Sequence, residues 1–436
     1  MSPAYSIARA RRWVVADARV LGADTPQRDA QGFGRVDILI DEGRFGAVAP
    51  AGRGDFGEAP RLPLAGRVVL PAFVDAHTHL DKGHIWRRAP NSTGDFATAL
   101  ETTAIDRTAR WSARDVDARM EFGLRCAYAS GTRAIRTHLD SVGPQPQISF
   151  PVFAAARERW KGRLDLQASP LFGVEALFEP GYLQIIEEMV EAQGSKLLGA
   201  VAYMIPRLQE AFDTLFALAE RKGWDLDFHV DESADPAARS LGIIAETALA
   251  RRFAGKILVG HCCSLARQDE SEREQVIEKV ARARIDVVSL PMCNLFLQDR
   301  QAGRTPRWRG VTAMHELRAA GVETMIASDN TRDPFYAYGD LDMLETWREG
   351  VRILHLDYPF ADWADAVGAA PARAMRLAPP RIATGEPADM ILTQARDFTE
   401  LFARPQSDRV VVRDGVALDA AAPAYAELDQ LEGLAP

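Results

Sequence analysis

The chain has 436 residues, 47% of them hydrophobic, with 52 basic against 61 acidic side chains and a formal charge of -9. That length buries a large core, as one big barrel or as roughly two or three domains. The acidic balance excludes nucleic acid or an anionic membrane as the main partner, since both need a basic face, and leaves a small molecule in a local pocket.

Met1–Arg12 carries arginines but no uninterrupted apolar stretch or small-residue cleavage site, so no secretory signal is read there. No apolar run is long enough to span a bilayer. Cys126, Cys262, Cys263 and Cys293 are too few and too irregular for a disulfide framework. They read as small buried hydrophobes, and the expected compartment is reducing and cytoplasmic.

Residues 13–49 alternate short β-rich runs, Trp13–Val15, Val20–Leu21, Val36–Ile40 and Gly46–Val48, with Asp41-Glu42-Gly43 as a hairpin turn. The same texture returns at Met390–Leu392, Arg409–Val412 and Val416–Leu418, with Asp414-Gly415 as the turn. Pairing the two ends into one small β domain leaves fewer exposed sheet edges than two separate sheets would.

Val69–Leu80 reads as a strand buried on both sides and ending in His77 and His79. Residues i and i+2 of a strand share a face, so the pair offers two imidazoles side by side. Taken alone it is equally two satisfied polar residues or half of a metal site. Seven further β runs follow: Thr132–Asp140, Leu164–Gly173, Leu197–Ile205, Leu226–Glu232, Ile257–Cys263, Ile285–Asn294 and Val322–Asn330. Helical segments separate them. Leu183, Ile186, Met189 and Val190 share one face before Gly194, as do Leu208, Phe212, Leu215, Phe216 and Ala219 before Gly223.

Eight βα units of roughly 30 residues favour a parallel (β/α)8 TIM-like barrel. A doubly wound sheet would need a Gly-rich phosphate turn, which is missing. The expected layout is a composite β-sandwich from residues 1–68 and 383–436 around a catalytic barrel of residues 69–382.

A barrel places function at the C-terminal ends of its strands. His77, His79, His138, His229, Glu232, His261 and Asp329 all fall there, whereas His84, His315 and His355 fall in loops or helices and are expected to be solvated. His77, His79, His229 and Asp329 make three neutral nitrogen donors and a carboxylate, suited to Zn or Fe with a position left open. A bound divalent ion lowers the pKa of its water and supplies hydroxide for attack on an electrophilic carbon. Asp329 then accepts a proton, His261 orients the water or stabilises charge, and Glu232 shuttles a proton to a ring nitrogen or leaving group.

His77-Thr-His79, Phe228–Glu232, Gly260-His261 and Ser328-Asp329 resemble the amidohydrolase superfamily, most closely its cytosine deaminase-like branch. Arg136–Asp140, Asn294–Gln298, Asp333–Tyr336 and Gly385–Leu392 extend the resemblance over nearly the whole chain. It implies a mononuclear site: two-metal branches use a bridging lysine at the end of strand 4, and Leu197–Ile205 has none, Lys196 preceding it. His138 and Asp140 are left outside the metal set, as supports or as filling near the mouth. The His-x-Glu and Pro-Cys-x-x-Cys motif of the cytidine deaminases is absent.

The resemblance implies hydrolytic deamination of an amino-substituted N-heterocycle, pyrimidine, pterin or triazine-like. The same set could instead open a cyclic amide, remove an N-alkylamino group, or bind a metal without catalysis. Substrate contacts are expected from Gly173, Asn294, Gln298, Asn330 and Arg332. The family's base-recognising glutamine falls at about Gly173, which has no amide, implying a larger or more oxidised ring than cytosine in the space there. Arg332 either pairs with Asp333 or another loop carboxylate, or faces the pocket with its planar fork. A homo-oligomer is compatible with the sequence.

Overall fold

The computed structural model describes residues 3–432 apart from positions 24, 26, 27 and 420. The ends of the range expected for the β-sandwich, residues 1–2 and 433–436, lie outside the described residues. The fold is α/β with parallel sheets.

Eight strands run parallel: β1 (Phe73–Thr78), β2 (Thr132–Asp140), β3 (Asp165–Leu171), β4 (Leu197–Ala202), β5 (Asp225–Val230), β6 (Ile257–His261), β7 (Ile285–Ser289) and β8 (Thr324–Ile326). The first three form one sheet and the last five another, each in sequence order. Parallel bridges join Gly173 to Val201 after β3 and Thr78 to Asp329 after β8. The helices between them end where the sequence predicts: Tyr182–Gln193 stops at Gly194 (φ 65°) and Leu208–Lys222 at Gly223 (φ 66°), left-handed positions where glycine carries no Cβ penalty.

Arg44–Pro50, Phe33–Asp41, Arg12–Leu21 and Arg61–Pro63 form a four-stranded sheet in that order. The separate runs at Trp13 and Val20 are one strand, interrupted by a bulge between Val15 and Ala18. A second sheet joins Val416–Ala417, Val410–Arg413, Met390–Leu392 and Val69–Pro71. Trp13 Nε1 donates to Gly415 O at 2.8 Å, and Trp13, Ile38, Met390 and Val412 share one apolar core. Both predicted hairpins have two successive positive-φ residues, Glu42-Gly43 and Asp414-Gly415, which match the twist of the flanking strands.

Two expected strands are redrawn. Val69–Leu80 divides at Ala72: Val69–Pro71 pairs antiparallel with Met390–Leu392, whereas Phe73–Thr78 pairs with β2. The run is apolar throughout because each half is buried, but in different sheets. The run Ile285–Asn294 stops at Ser289, and Pro291 opens a helix to Leu297. Proline suits a first helical position, where its missing N–H has no partner to lose.

Candidate active site

Asp75 and His77 share one face of β1, and His79 follows at its end. Asp227 and His229 share the corresponding face of β5. In strand register His229 lies beside Gly260, where a Cβ would approach the His77 ring to 3.0 Å, so the glycine leaves room for that imidazole. Asp329 is tied to the end of β1 by its N–H donating to His77 O at 2.9 Å. His261 (φ 70°) and Asp329 (φ 64°) both adopt the left-handed region, a strained geometry for such residues that turns the chain at the strand ends.

These elements converge. His77 Nε2 and His229 Nε2 are 3.1 Å apart, and His229 Nε2 and His79 Nε2 are 3.3 Å apart. Asp329 Oδ1 lies 3.1 Å from His79 Nε2 and 3.5 Å from His77 Nε2. Burial foremost, then the crowding of the histidines on one another, with Lys82 acting on His79 and His229, pushes all three well below their ordinary value, so they are neutral electron-pair donors. Three imidazole nitrogens and a carboxylate oxygen crowded this closely are a donor set that a cation between them would satisfy. Ligand bonds of about 2.0–2.1 Å give a tetrahedron edges of about 3.3 Å, close to these separations. The residues fit a divalent ion. Beneath them Ser328 Oγ donates to Asp75, whose carboxyl burial pushes up to about 7.

Glu232 and His261 stand beside this cluster, their Oε1 and Nδ1 3.3 Å apart. Asn294 Nδ2 donates to Glu232 Oε1 at 3.2 Å and lies 2.9 Å from His261 Nδ1. An amide nitrogen only donates, so His261 accepts at Nδ1 and carries its proton on Nε2, which has no protein partner. Burial, followed by the Asp329 charge, pushes Glu232 well up. A carboxyl whose affinity for its proton burial raises and the Nε2 edge of His261 therefore face the donor cluster together. Gln298 Nε2 donates to Glu232 O at 3.2 Å. Asn294 and Gln298 thus hold the acid in place; neither lines the cavity, contrary to the expected substrate contact.

His138 belongs to the same assembly. Its ring packs 4.1 Å from that of His77, and it is one of four histidines whose ring nitrogens gather closely enough for a metal ion. Its Nε2 lies 3.1 Å from Asp227 Oδ1, while Arg136 NH1 donates to Asp227 Oδ2 at 2.8 Å. The alternation on β5 already placed Asp227 on the face of His229, a signal the sequence contained.

A cavity of about 400 Å³ opens over the cluster, lined by the polar groups His79, His229, Glu232 and His261 and by Leu100 and Val142, both exposed, with Arg107. Lys82 Nζ pairs with Asp140 Oδ1 at 2.9 Å and Arg107 NH1 with Asp140 Oδ2 at 2.8 Å, so Asp140 bridges two cations at the mouth. Asn330 lines the cavity and donates to Asp333 Oδ2 at 2.7 Å. Gly173 also lines it, but its space is not free: a Cβ there would lie 2.2 Å from Glu175 Oε1.

Arg332 does not line the cavity: its guanidinium lies 4.3 Å over the Tyr425 ring, and the loop carboxylate on which it acts is Asp340, which Tyr425 also contacts. His315 and His355 are exposed as expected. His84 is not. It is 4% exposed, packs edge-on against Phe122, and burial pushes it down to about 3. Its backbone N–H donates to Thr331 O at 2.9 Å, which draws it under the loop after β8. The four cysteines are free and buried.

The profile of the amidohydrolase family matches residues 153–419. A pterin deaminase of Rhizobium rhizogenes is 48% identical over 430 residues, covering 97% of this chain and 98% of its own. The N-isopropylammelide isopropyl amidohydrolase of a Pseudomonas species is 23% identical over 311 residues, 65% of this chain and 68% of its own. Among solved structures, 5-methylcytosine deaminase from Klebsiella pneumoniae superposes with a TM-score of 0.80 at 24% identity, over 94% of this chain and 98% of that one. N-isopropylammelide isopropylaminohydrolase from Burkholderia multivorans gives 0.72 at 26% identity, over 94% and 98%.

Proposed function

From the premise that the chain belongs to the amidohydrolase family, and is a hydrolase of C–N bonds, we propose that it deaminates a fused N-heterocycle of the pterin class with one divalent ion, Zn or Fe. The observation that carries this is the cavity on which a metal-fitting donor set, a raised carboxyl and an imidazole N–H converge, in a chain 48% identical to a pterin deaminase. His77, His79, His229 and Asp329 would hold the ion. When bound, it supplies a water activated for attack at neutral pH.

The chain's own residues do the rest. His261 Nε2–H donates to the oxygen that adds to the ring carbon. Glu232 gives its proton to the ring nitrogen beside that carbon, making it electrophilic, and Asp329 takes a proton from the attacking water. Asp329 passes its proton to the leaving amine, which departs as ammonia; the ring nitrogen keeps the proton from Glu232, and the O–H proton of the adduct returns to Glu232 as the carbonyl forms. Asn294 keeps both donors aimed at the ring.

Ammonia release from pterin by metal-replete protein, abolished by a chelator and restored by one equivalent of Zn or Fe per chain, is the expected result. No release refutes the deaminase, and two equivalents refute the mononuclear site. The same reading takes the eight parallel strands as one closed barrel, supported by the Gly173–Val201 and Thr78–Asp329 bridges, with a composite sandwich supported by the Trp13–Gly415 bond.

A further inference from the structure

We propose that the helix Phe96–Arg110 is a specificity wall, selecting a fused bicyclic ring with an uncharged substituent over a single pyrimidine ring; this deepens the deaminase reading and rests on it. The helix enters between β1 and β2 and starts at Asp95, whose carboxylate accepts from Thr98 N–H at 2.8 Å. Phe96, Leu100, Thr103, Ala104 and Arg107 recur at intervals of three and four residues, which puts them on one stripe. All five line the cavity. Phe96 packs edge-on against Phe335 at 5.7 Å, fixing the start of the stripe to the loop after β8.

The reacting end of the cavity is set by His79, His229, Glu232 and His261. A ring whose amino carbon sits there extends its far side towards the outer end and the helix. At that outer end Leu100 is 42% exposed and Val142 46%. Two large apolar side chains left wet in a cavity gain from being covered by a flat ring. A single pyrimidine filling the reacting end leaves them in water.

The charge at the mouth decides the substituent. Arg107 and Lys82 share the one carboxylate of Asp140, and Glu175 adds a second to the lining, so two cations stand against two carboxylates. A carboxylate or phosphate on the second ring would have to displace Asp140 and would meet Glu175, whereas a neutral group meets no such opposition.

The test compares pterin with isocytosine, which carries the same 2-amino-4-oxo pattern without the second ring, and 6-hydroxymethylpterin with 6-carboxypterin. Wild type, Leu100→Ala and Ala104→Leu are assayed for ammonia release, and for equilibrium binding by quenching of pterin fluorescence. Each variant is expected to weaken pterin binding and raise its KM about 10-fold, the scale of a changed apolar pocket contact, with isocytosine unchanged. The hydroxymethyl compound is expected to bind more tightly than the carboxylate. Equal losses on pterin and isocytosine, no loss on pterin in either variant, or no quenching by the wild-type protein overturns the wall. A preference for 6-carboxypterin overturns the choice of a neutral substituent. If no heterocycle releases ammonia yet pterin binds and the variants weaken it, the deaminase reading fails and the wall stands.

Discussion

Two of the polar clusters buried among the described residues are built on opposite principles. Around Arg88 and Arg119, opposite charges are matched: Arg88 meets Asp106 at 2.9 Å and Asp115 at 2.5 Å, and Arg119 meets Asp115 at 2.6 Å. Arg119 NH1 also donates to Gly83 O at 3.1 Å, and Trp111 Nε1 to Asp106 Oδ2 at 2.8 Å. Burial alone would raise the Asp115 carboxyl, but the two guanidinium groups hold it below its ordinary value. Around His77 the electron-pair donors face one another with no Lys or Arg ion pair to Asp329 among the described residues, and burial leaves Asp329 at about 7. A matched buried cluster is complete as architecture, whereas an unmatched one requires a ligand that the chain does not provide.

The sharpest way to break this contrast is to remove a donor from the unmatched cluster. His229→Ala is expected to lose its ion and essentially all turnover, with metal content measured on protein purified without chelator. A metal-replete, active variant would end the ligand assignment. Glu232→Gln should keep its ion and fold while turnover falls about 10²–10⁴-fold, the usual contribution of a proton-transfer group; near-normal turnover removes Glu232 from the mechanism. Asp227→Asn loosens the support of His138 and should weaken metal affinity by about 10–100-fold, as such supporting contacts do, a shift read by competition with a chromogenic chelator.

The smallest effect on the reaction belongs to the matched cluster. Asp115→Ala strands the buried Arg119 guanidinium, leaves Arg88 with Asp106 alone, and should cost about 3–5 kcal/mol of stability, measured by denaturant unfolding, while the folded fraction retains its ion. Loss of metal without loss of stability would show that the two clusters are not separable.

Much of the reacting end was legible in local pattern. Period-two spacing paired His77 with His79, and the regular βα alternation put His229, His261 and Asp329 at strand ends, because a parallel sheet aligns those ends at one face. The Asp-Gly hairpins were equally plain, since few residues tolerate two successive positive φ angles. Other features depended on distant partners. Val69–Leu80 is a single apolar run whose division at Ala72 is set by the far end of the chain, as Met390–Leu392 captures its first three residues.

The sequence by itself determined the parallel α/β pattern, the donor types and the strands that present them, because these follow from side-chain chemistry and periodicity along a short stretch. Only the tertiary structure decided that Asn294 fixes the His261 tautomer, that Asp227 supports His138, that Glu175 fills the space at Gly173, and that Arg332 lies on Tyr425. It also turned one stripe of Phe96–Arg110 towards the cavity. Most of these contacts join residues far apart in the chain, and the rotamer of Glu175 depends equally on its surroundings. Periodicity says which side chains share a face; packing decides what that face meets.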